Sequence, residues 1–125
     1  MIHGIGTDIV AVARLAGLYE RHGERSVDKL LAPEERAGCL ASPARDRFLA
    51  KRFAAKEALG KALGTGIRAP VLLTSIAVDH DALGRPEFRF APELDAHMAA
   101  LGLRAHLSLS DERDYAVAFV VVEKT

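Results

Sequence analysis

The chain opens on a stretch that is apolar on both sides. From Ile2 to Val12 it is rich in β-branched residues and predicts a strand, with Ile2, Gly4, Gly6, Asp8 and Val10 on one face and Ile5, Thr7 and Ile9 on the other. Two apolar faces predict an interior strand, with Asp8 set in an apolar line. From Ala13 to about His22 the period becomes helical: Leu15, Leu18, Tyr19 and His22 form one stripe, and Gly23 stops it. Short helical pieces follow, one beginning near Pro33-Glu34-Glu35. Ser42-Pro43 has the form of an N-cap with proline in the first turn of a helix that runs to Leu63 and ends at Gly64.

Beyond that helix, Ser75 to Asp79 and Glu87 to Phe90 read as strands around a turn at Asp81–Pro86. Pro92 to Leu101 reads as a helix with Leu94, Met98 and Leu101 inward and Gly102 as terminator. Arg104–Ser110 and Tyr115–Glu123 flank a polar turn and predict a hairpin. Five strands and several helices without βαβ alternation imply an α+β fold, with a mostly antiparallel sheet packed on the long helix.

Composition narrows the class. The chain has 125 residues, half of them hydrophobic, enough for one domain with one core. Lys+Arg and Asp+Glu both number 17. That balance argues against a general nucleic-acid or membrane-surface binder, so any anion site must be local. The single cysteine, Cys39, makes no disulfide within the chain. No apolar run reaches about 18 residues, and the first residues lack a signal peptide's layout, so a cytoplasmic protein is expected.

The long helix carries the candidate chemistry. Phe48, Ala55, Leu59, Ala62 and Leu63 share one side, with Arg52 and Lys56 oddly placed in the same arc. The opposite flank has Ala50, Ala54, Glu57, Ala58 and Lys61, whose small side chains allow a ligand or another backbone to come close. Glu57 and Lys61 alone could be an ordinary (i, i+4) surface pair. Asp8 changes that balance, because a carboxylate in an interior strand needs a cationic partner or a metal. A lysine or arginine of the basic segment is one such partner. Convergence of Asp8 and Glu57 on a hard cation is the other, and two carboxylates with open positions suit magnesium with phosphate oxygens. Six basic residues lie between Arg45 and Lys61 against two acidic ones, which points to a polyphosphate ligand.

Other features weigh less. Gly64-Thr65-Gly66 fits a helix C-cap and turn better than a nucleotide loop. The five histidines show no zinc spacing, although His106 shares a strand face with Ser108 and Ser110. Arg14, Arg21 and Arg25, with Leu18 beside them, form a stripe assigned to the first helix: a solvated face, or a docking strip for an acidic partner helix.

Taken together, Gly6-Thr7-Asp8-Ile9-Val10, Arg52-Phe53-Ala54-Ala55-Lys56-Glu57-Ala58 and Lys61-Ala62-Leu63-Gly64-Thr65-Gly66-Ile67 resemble the signatures of bacterial holo-acyl-carrier-protein synthases. Gly84-Arg85-Pro86, His106-Leu107-Ser108-Leu109-Ser110 and Tyr115-Ala116 fit the later half of that family. The resemblance covers the whole chain in order. It implies a single 4'-phosphopantetheinyl transferase domain that uses coenzyme A and magnesium to modify a serine of an apo acyl carrier protein.

On that resemblance, Asp8 and Glu57 are the metal-binding carboxylates and Lys61 the catalytic lysine. Arg52, Lys61, Gly64, Arg85, Pro86 and His106 fall in coenzyme A-binding regions. Arg14, Leu18, Arg21 and Arg25 fall where the carrier docks. The family also implies a homotrimer with its active sites between subunits. Ser110 stands where many relatives have a second histidine. A domain that only holds coenzyme A, and a pyrophosphate hydrolase, are the competing classes.

Overall fold

Small residues bring a helix and a sheet into backbone contact at the centre of the molecule. The computed structural model describes residues 1–125. Its elements are β1 (Ile2–Ala11), α1 (Val12–His22), α2 (Glu24–Leu30), α3 (Pro33–Ala41), α4 (Arg45–Leu63), a short 3-10 turn (Leu73–Ser75), β2 (Ile76–His80), β3 (Pro86–Phe90), α5 (Pro92–Ala100), β4 (Leu103–Asp111) and β5 (Tyr115–Lys124). All strand pairs are antiparallel, in a three-stranded sheet of order β1-β5-β4 and a separate β2-β3 hairpin. The α+β class holds, with two small sheets in place of one.

Helix α4 lies across the three-stranded sheet along a seam of residues with little or no side chain. Ala54, Ala58 and Ala62 of the helix and Ala116 and Ala118 of β5 are buried there. A Cβ added to Gly4 would sit 2.0 Å from the Ala62 carbonyl oxygen, and one added to Gly6 would sit 2.1 Å from that of Ala58. The alanine flank therefore does receive another backbone at close range, and the backbone is β1. The other side of α4, including Leu49, Ala55 and Leu59, is buried as well, so the helix is enclosed nearly all round. No helix is long and apolar enough to cross a membrane.

Lys56 explains the odd cation in the apolar arc. It is fully buried, and its ammonium donates to Glu35 Oε1 at 2.6 Å and to the carbonyls of Leu30 and Leu73 at 2.8 and 2.9 Å. Glu35 in turn accepts from the Ala32 and Val78 amides, both at 2.9 Å. This satisfied pair joins α2, α3, β2 and the 3-10 turn to the long helix. Burial still holds the Lys56 pKa below its ordinary value, against the opposing pull of Glu35.

Four expectations need correction. β1 is an edge strand, not an interior one: only its Gly4-Gly6-Asp8-Val10 side meets α4, while Ile5 and Ile9 are more than half exposed. Together with Val117, Phe119 and Val121 of β5 they leave an open apolar face on the sheet. An extended Ser42 closes α3 and does not cap α4, which begins at Arg45; the Ser42 hydroxyl instead accepts from the Ala44 amide at 3.1 Å. Gly23, at φ 57°, ends α1 and starts α2, so Arg25 belongs to a different helix from Arg14 and Arg21. Leu101 is exposed, because α5 ends at Ala100 and only Leu94 and Met98 point inward.

Candidate active site

The close approach of β1 to α4 sets the geometry of the carboxylates. Asp8 follows Gly6 by two residues, so its side chain leaves the same strand face, toward the helix. On α4, Glu57 and Lys61 are one turn apart on the side nearest β1. The Lys61 ammonium lies 3.1 Å from Asp8 Oδ1 and donates to the Thr7 carbonyl at 3.0 Å. The Asp8 side chain is 17% exposed and that of Lys61 56%, so the pair sits at the rim of the core, where water enters. Thr7 is itself fixed, its hydroxyl donating to the Ala118 carbonyl across the sheet at 3.0 Å.

Glu57 is half-buried in the same cluster. Burial raises its pKa first and the neighbouring Asp8 charge raises it further, against the opposing influence of Lys61 and Arg14. Glu57 thus lies within reach of the Asp8 charge, one helical turn from the lysine that pairs with Asp8. The donor set of the two carboxylates is oxygen only, and no group of three or more His, Cys, Asp or Glu side chains gathers anywhere in the chain. Such a pair fits a hard divalent cation that keeps most of its waters or takes phosphate oxygens, and not a zinc-type site. Arg14 closes the cluster on the α1 side, with its guanidinium 5.2 Å from the centre of the Phe53 ring.

Other expected site residues lie elsewhere in the chain. Gly64 ends α4 in the left-handed conformation (φ 80°), and Gly66 folds back to donate to the Gly60 carbonyl at 3.0 Å. The Gly64–Gly66 turn therefore lies directly beyond Lys61. Arg52 sits on the far flank of α4: its Nε is 3.3 Å from Glu35 Oε2, its guanidinium is 3.6 Å from the Phe48 ring centre, and it borders a notch of 350 Å³.

Arg85, Pro86 and His106 line a separate cavity of 760 Å³ between β3, α5 and β4. Arg85 is braced by Asp81 Oδ2 at 3.0 Å, and His106 Nε2 bonds Glu123 Oε1 at 2.8 Å. This cavity lies at the β4 edge of the sheet, and the carboxylate Asp8 lies on the β1 edge. Asp8 is registered with Ala118, and Ala118 with Leu109, so His106 lies two strands and three residues away on the opposite face. Standard sheet spacings make that about 14 Å of lateral separation within one chain. The carboxylate cluster and this cavity thus occupy opposite edges of the sheet.

On the helical surface, Leu18 and Arg25 border a 300 Å³ hollow between α1 and α2, together with His22, Ser26, Lys29 and Leu30. Arg21 is exposed and its guanidinium comes near Gly17. Sequence reasoning did not find the Glu35–Lys56 pair or the Thr7 carbonyl. The first left one signal, a lysine in an apolar arc; the second left none, because a backbone acceptor has no residue type.

Residues 4–120 match the family model of the 4'-phosphopantetheinyl transferase superfamily. The chain belongs to that superfamily. This transferase chain is 58% identical over 123 residues to the holo-[acyl-carrier-protein] synthase of Azoarcus sp. (strain BH72), with 98% of each chain covered. Its fold is similar to the crystal structure of the holo-[acyl-carrier-protein] synthase of Neisseria meningitidis, at a TM-score of 0.96 and 47% identity, over 99% of this chain and 100% of the other. It is also similar to the holo-(acyl-carrier-protein) synthase of Bacillus anthracis solved in complex with CoA (3',5'-ADP), at a TM-score of 0.84 and 33% identity, over 100% and 99% of the two chains. The transferase family resemblance in the motifs therefore extends to the whole fold.

Proposed function

We propose that this chain is a holo-acyl-carrier-protein synthase, which moves the 4'-phosphopantetheine arm of coenzyme A onto a serine of an apo acyl carrier protein. One observation carries the site assignment: Asp8 of β1 and Lys61 of α4, distant in sequence, pair where the two elements cross, one helical turn from Glu57. A chain that merely held coenzyme A would not need two repelling carboxylates beside an ammonium.

In the reaction the serine Oγ forms a bond to the β-phosphorus of coenzyme A. The bond from that phosphorus to the oxygen bridging it to the α-phosphorus breaks, and adenosine 3',5'-bisphosphate leaves with the bridging oxygen. The serine proton passes to solvent or to a carboxylate of the site. Phosphoryl transfer of this kind depends on positioning and on neutralising charge more than on covalent chemistry. Asp8 and Glu57 would hold magnesium, which supplies charge neutralisation and Lewis acidity to the pyrophosphate when bound. Lys61, anchored on the Thr7 carbonyl, would turn its other N–H groups toward the pyrophosphate and offset or protonate the leaving oxygen. Gly64 and its turn, Arg85, Pro86, His106 and Arg52 are assigned to the coenzyme, and Arg14, Leu18, Arg21 and Arg25 to the acidic carrier.

The placement of the site residues supports assembly. The Asp8–Glu57–Lys61 cluster and the Arg85–Pro86–His106 cavity lie at the β1 and β4 edges of one chain, and neighbouring copies in a trimer would set the edge of one against the edge of the next. The open face of Ile5, Ile9 and Phe119 offers the apolar area for such contacts. We place the enzyme in the cytoplasm as a single transferase domain. The deciding experiment is mass spectrometry of an apo carrier incubated with the protein, coenzyme A and magnesium, comparing the unaltered chain with Asp8→Asn and Glu57→Gln. A phosphopantetheine adduct that both variants lose is the expected result. Adenosine bisphosphate released without an adduct would mean hydrolysis, and full adduct formation by both variants would remove the carboxylates from the mechanism.

A further inference from the structure

Lys61 has two acceptors in the site, and one of them is a carboxylate oxygen that the cation also needs. Its Nζ lies 3.1 Å from Asp8 Oδ1 and 3.0 Å from the Thr7 carbonyl. The two partners differ in kind. The Thr7 carbonyl belongs to an edge strand with no neighbour on its outer side, and it competes for nothing else. Asp8 is confined, with 17% of its side chain exposed, and its charge adds to burial in raising the Glu57 pKa. A dication held between Asp8 and Glu57 and an ammonium on Asp8 Oδ1 would crowd two positive charges onto one carboxylate.

Lys61 is the partner able to move. Its side chain is 56% exposed, its tether is flexible, and Thr7 keeps a second hold on it while Asp8 is surrendered.

We propose that Lys61 and the divalent cation compete for Asp8, so that the lysine pivots on the Thr7 carbonyl and turns to the substrate pyrophosphate only when the cation takes the carboxylate. The inference rests on the metal reading above and adds an order to it. Lys61 serves as the resting counter-ion of the metal site before it serves the leaving group. It follows that the residue needed for turnover should weaken metal binding.

The test is titration of the full chain with Mn²⁺, free ion being read by electron paramagnetic resonance, with neither coenzyme A nor carrier present. The proteins are the unaltered chain, Lys61→Met, Lys61→Gln, Asp8→Asn and, as control, Lys51→Met, whose ammonium is 3.9 Å from Asp111 and outside the cluster. Competition predicts that both Lys61 variants bind Mn²⁺ about tenfold more tightly, as removal of a cation adjacent to the dication requires. The gain should persist in about 0.5 M KCl, where only diffuse charge effects are screened away. Lys51→Met should bind as the unaltered chain does, and Asp8→Asn should bind weakly.

If Asp8→Asn loses Mn²⁺ but the Lys61 variants bind no tighter than the unaltered chain, the competition is refuted and the metal site stands. A gain that vanishes in salt, or that Lys51→Met shares, refutes it as well. If neither the unaltered chain nor the Lys61 variants bind Mn²⁺, the competition and the metal reading fall together.

Discussion

Substituting Gly6 by alanine tests whether the backbone contact between β1 and α4 sets the spacing of the site. The new Cβ would meet the Ala58 carbonyl oxygen at 2.1 Å, the Ala62 nitrogen at 2.8 Å and Lys61 Cβ at 3.0 Å. Two of these are helix backbone, which cannot swing aside. A carbon-to-oxygen contact relaxes near 3.3 Å, so helix and strand must part by about 1 Å at this point. Asp8 and the helix face that carries Glu57 would part by a similar amount, a shift that the flexible Lys61 tether can follow but the shorter carboxylate arms cannot.

Overpacking of this kind costs about 1–3 kcal/mol. For a chain of this size that lowers the melting temperature by roughly 4–15 °C. A misplacement of about 1 Å in a phosphoryl-transfer site is worth about a hundredfold in rate. The assay is carrier modification by mass spectrometry, with thermal melting of the same samples. Gly23→Ala is the comparison: its φ of 57° makes alanine strained, but nothing lies within 4 Å of the new atom. That variant should lose about 1–3 kcal/mol of stability and keep its turnover once folded. Turnover of Gly6→Ala within twofold of the unaltered chain, at an unchanged melting temperature, would refute the idea that this contact positions Asp8.

Lys56→Met should be the most destabilising change at any charged residue, about 3 kcal/mol, because it takes the fully buried ion partner from Glu35 and leaves that carboxylate only Arg52 and two amides; the double variant Lys56→Met with Glu35→Gln should recover part of that loss in a denaturant titration. Arg21→Glu with Arg25→Glu should raise the Michaelis constant for the carrier while calorimetry finds coenzyme A affinity unchanged, and equal damage to both would displace the docking surface from α1 and α2. Asp81 is held below the usual carboxylate range by the Arg85 amide first and its side chain second. Its contribution is therefore present above the unfolded pKa of about 3.9 and lost as pH falls through the lower folded value. Asp81→Asn should melt below the unaltered chain at neutral pH, and the two curves should converge in acid.

Local signals were legible where one segment contains its own punctuation. Gly64 marks the end of α4 to the residue, and the alternation of Arg104–Ser110 and Tyr115–Glu123 yields the hairpin with its turn. Signals that depend on what lies opposite were not. Apolar residues on both faces of β1 state that both faces will be covered, without stating that only one is covered within the chain. Glu35 looks like a first-turn helix acid until Lys56, twenty-one residues later, fills its carboxylate. Gly23 was read as a stop, but not as the start of a second helix that takes Arg25 away from Arg14. Of the chemistry, the Asp8–Lys61 pair is one of the alternatives that the sequence offers, and Glu57 lies one helical turn from that lysine. The division of the remaining site residues between two edges of the sheet depends on strand order, which motif spacing does not contain.

That division has a genetic consequence. A copy altered at Asp8 retains a sound Arg85–His106 edge, and a copy altered at His106 retains a sound carboxylate cluster. If each site is assembled from the two edges of adjacent copies in a closed ring, two inactive proteins refolded together should rescue one another. Random mixing in equal amounts places a sound cluster against a sound edge at about a quarter of the junctions. Asp8→Asn and His106→Ala, each inert alone, should then regain about a quarter of full activity when co-assembled, while a single chain carrying both changes should donate nothing to either. Defects at the two edges would behave as though they belonged to separate, complementing genes.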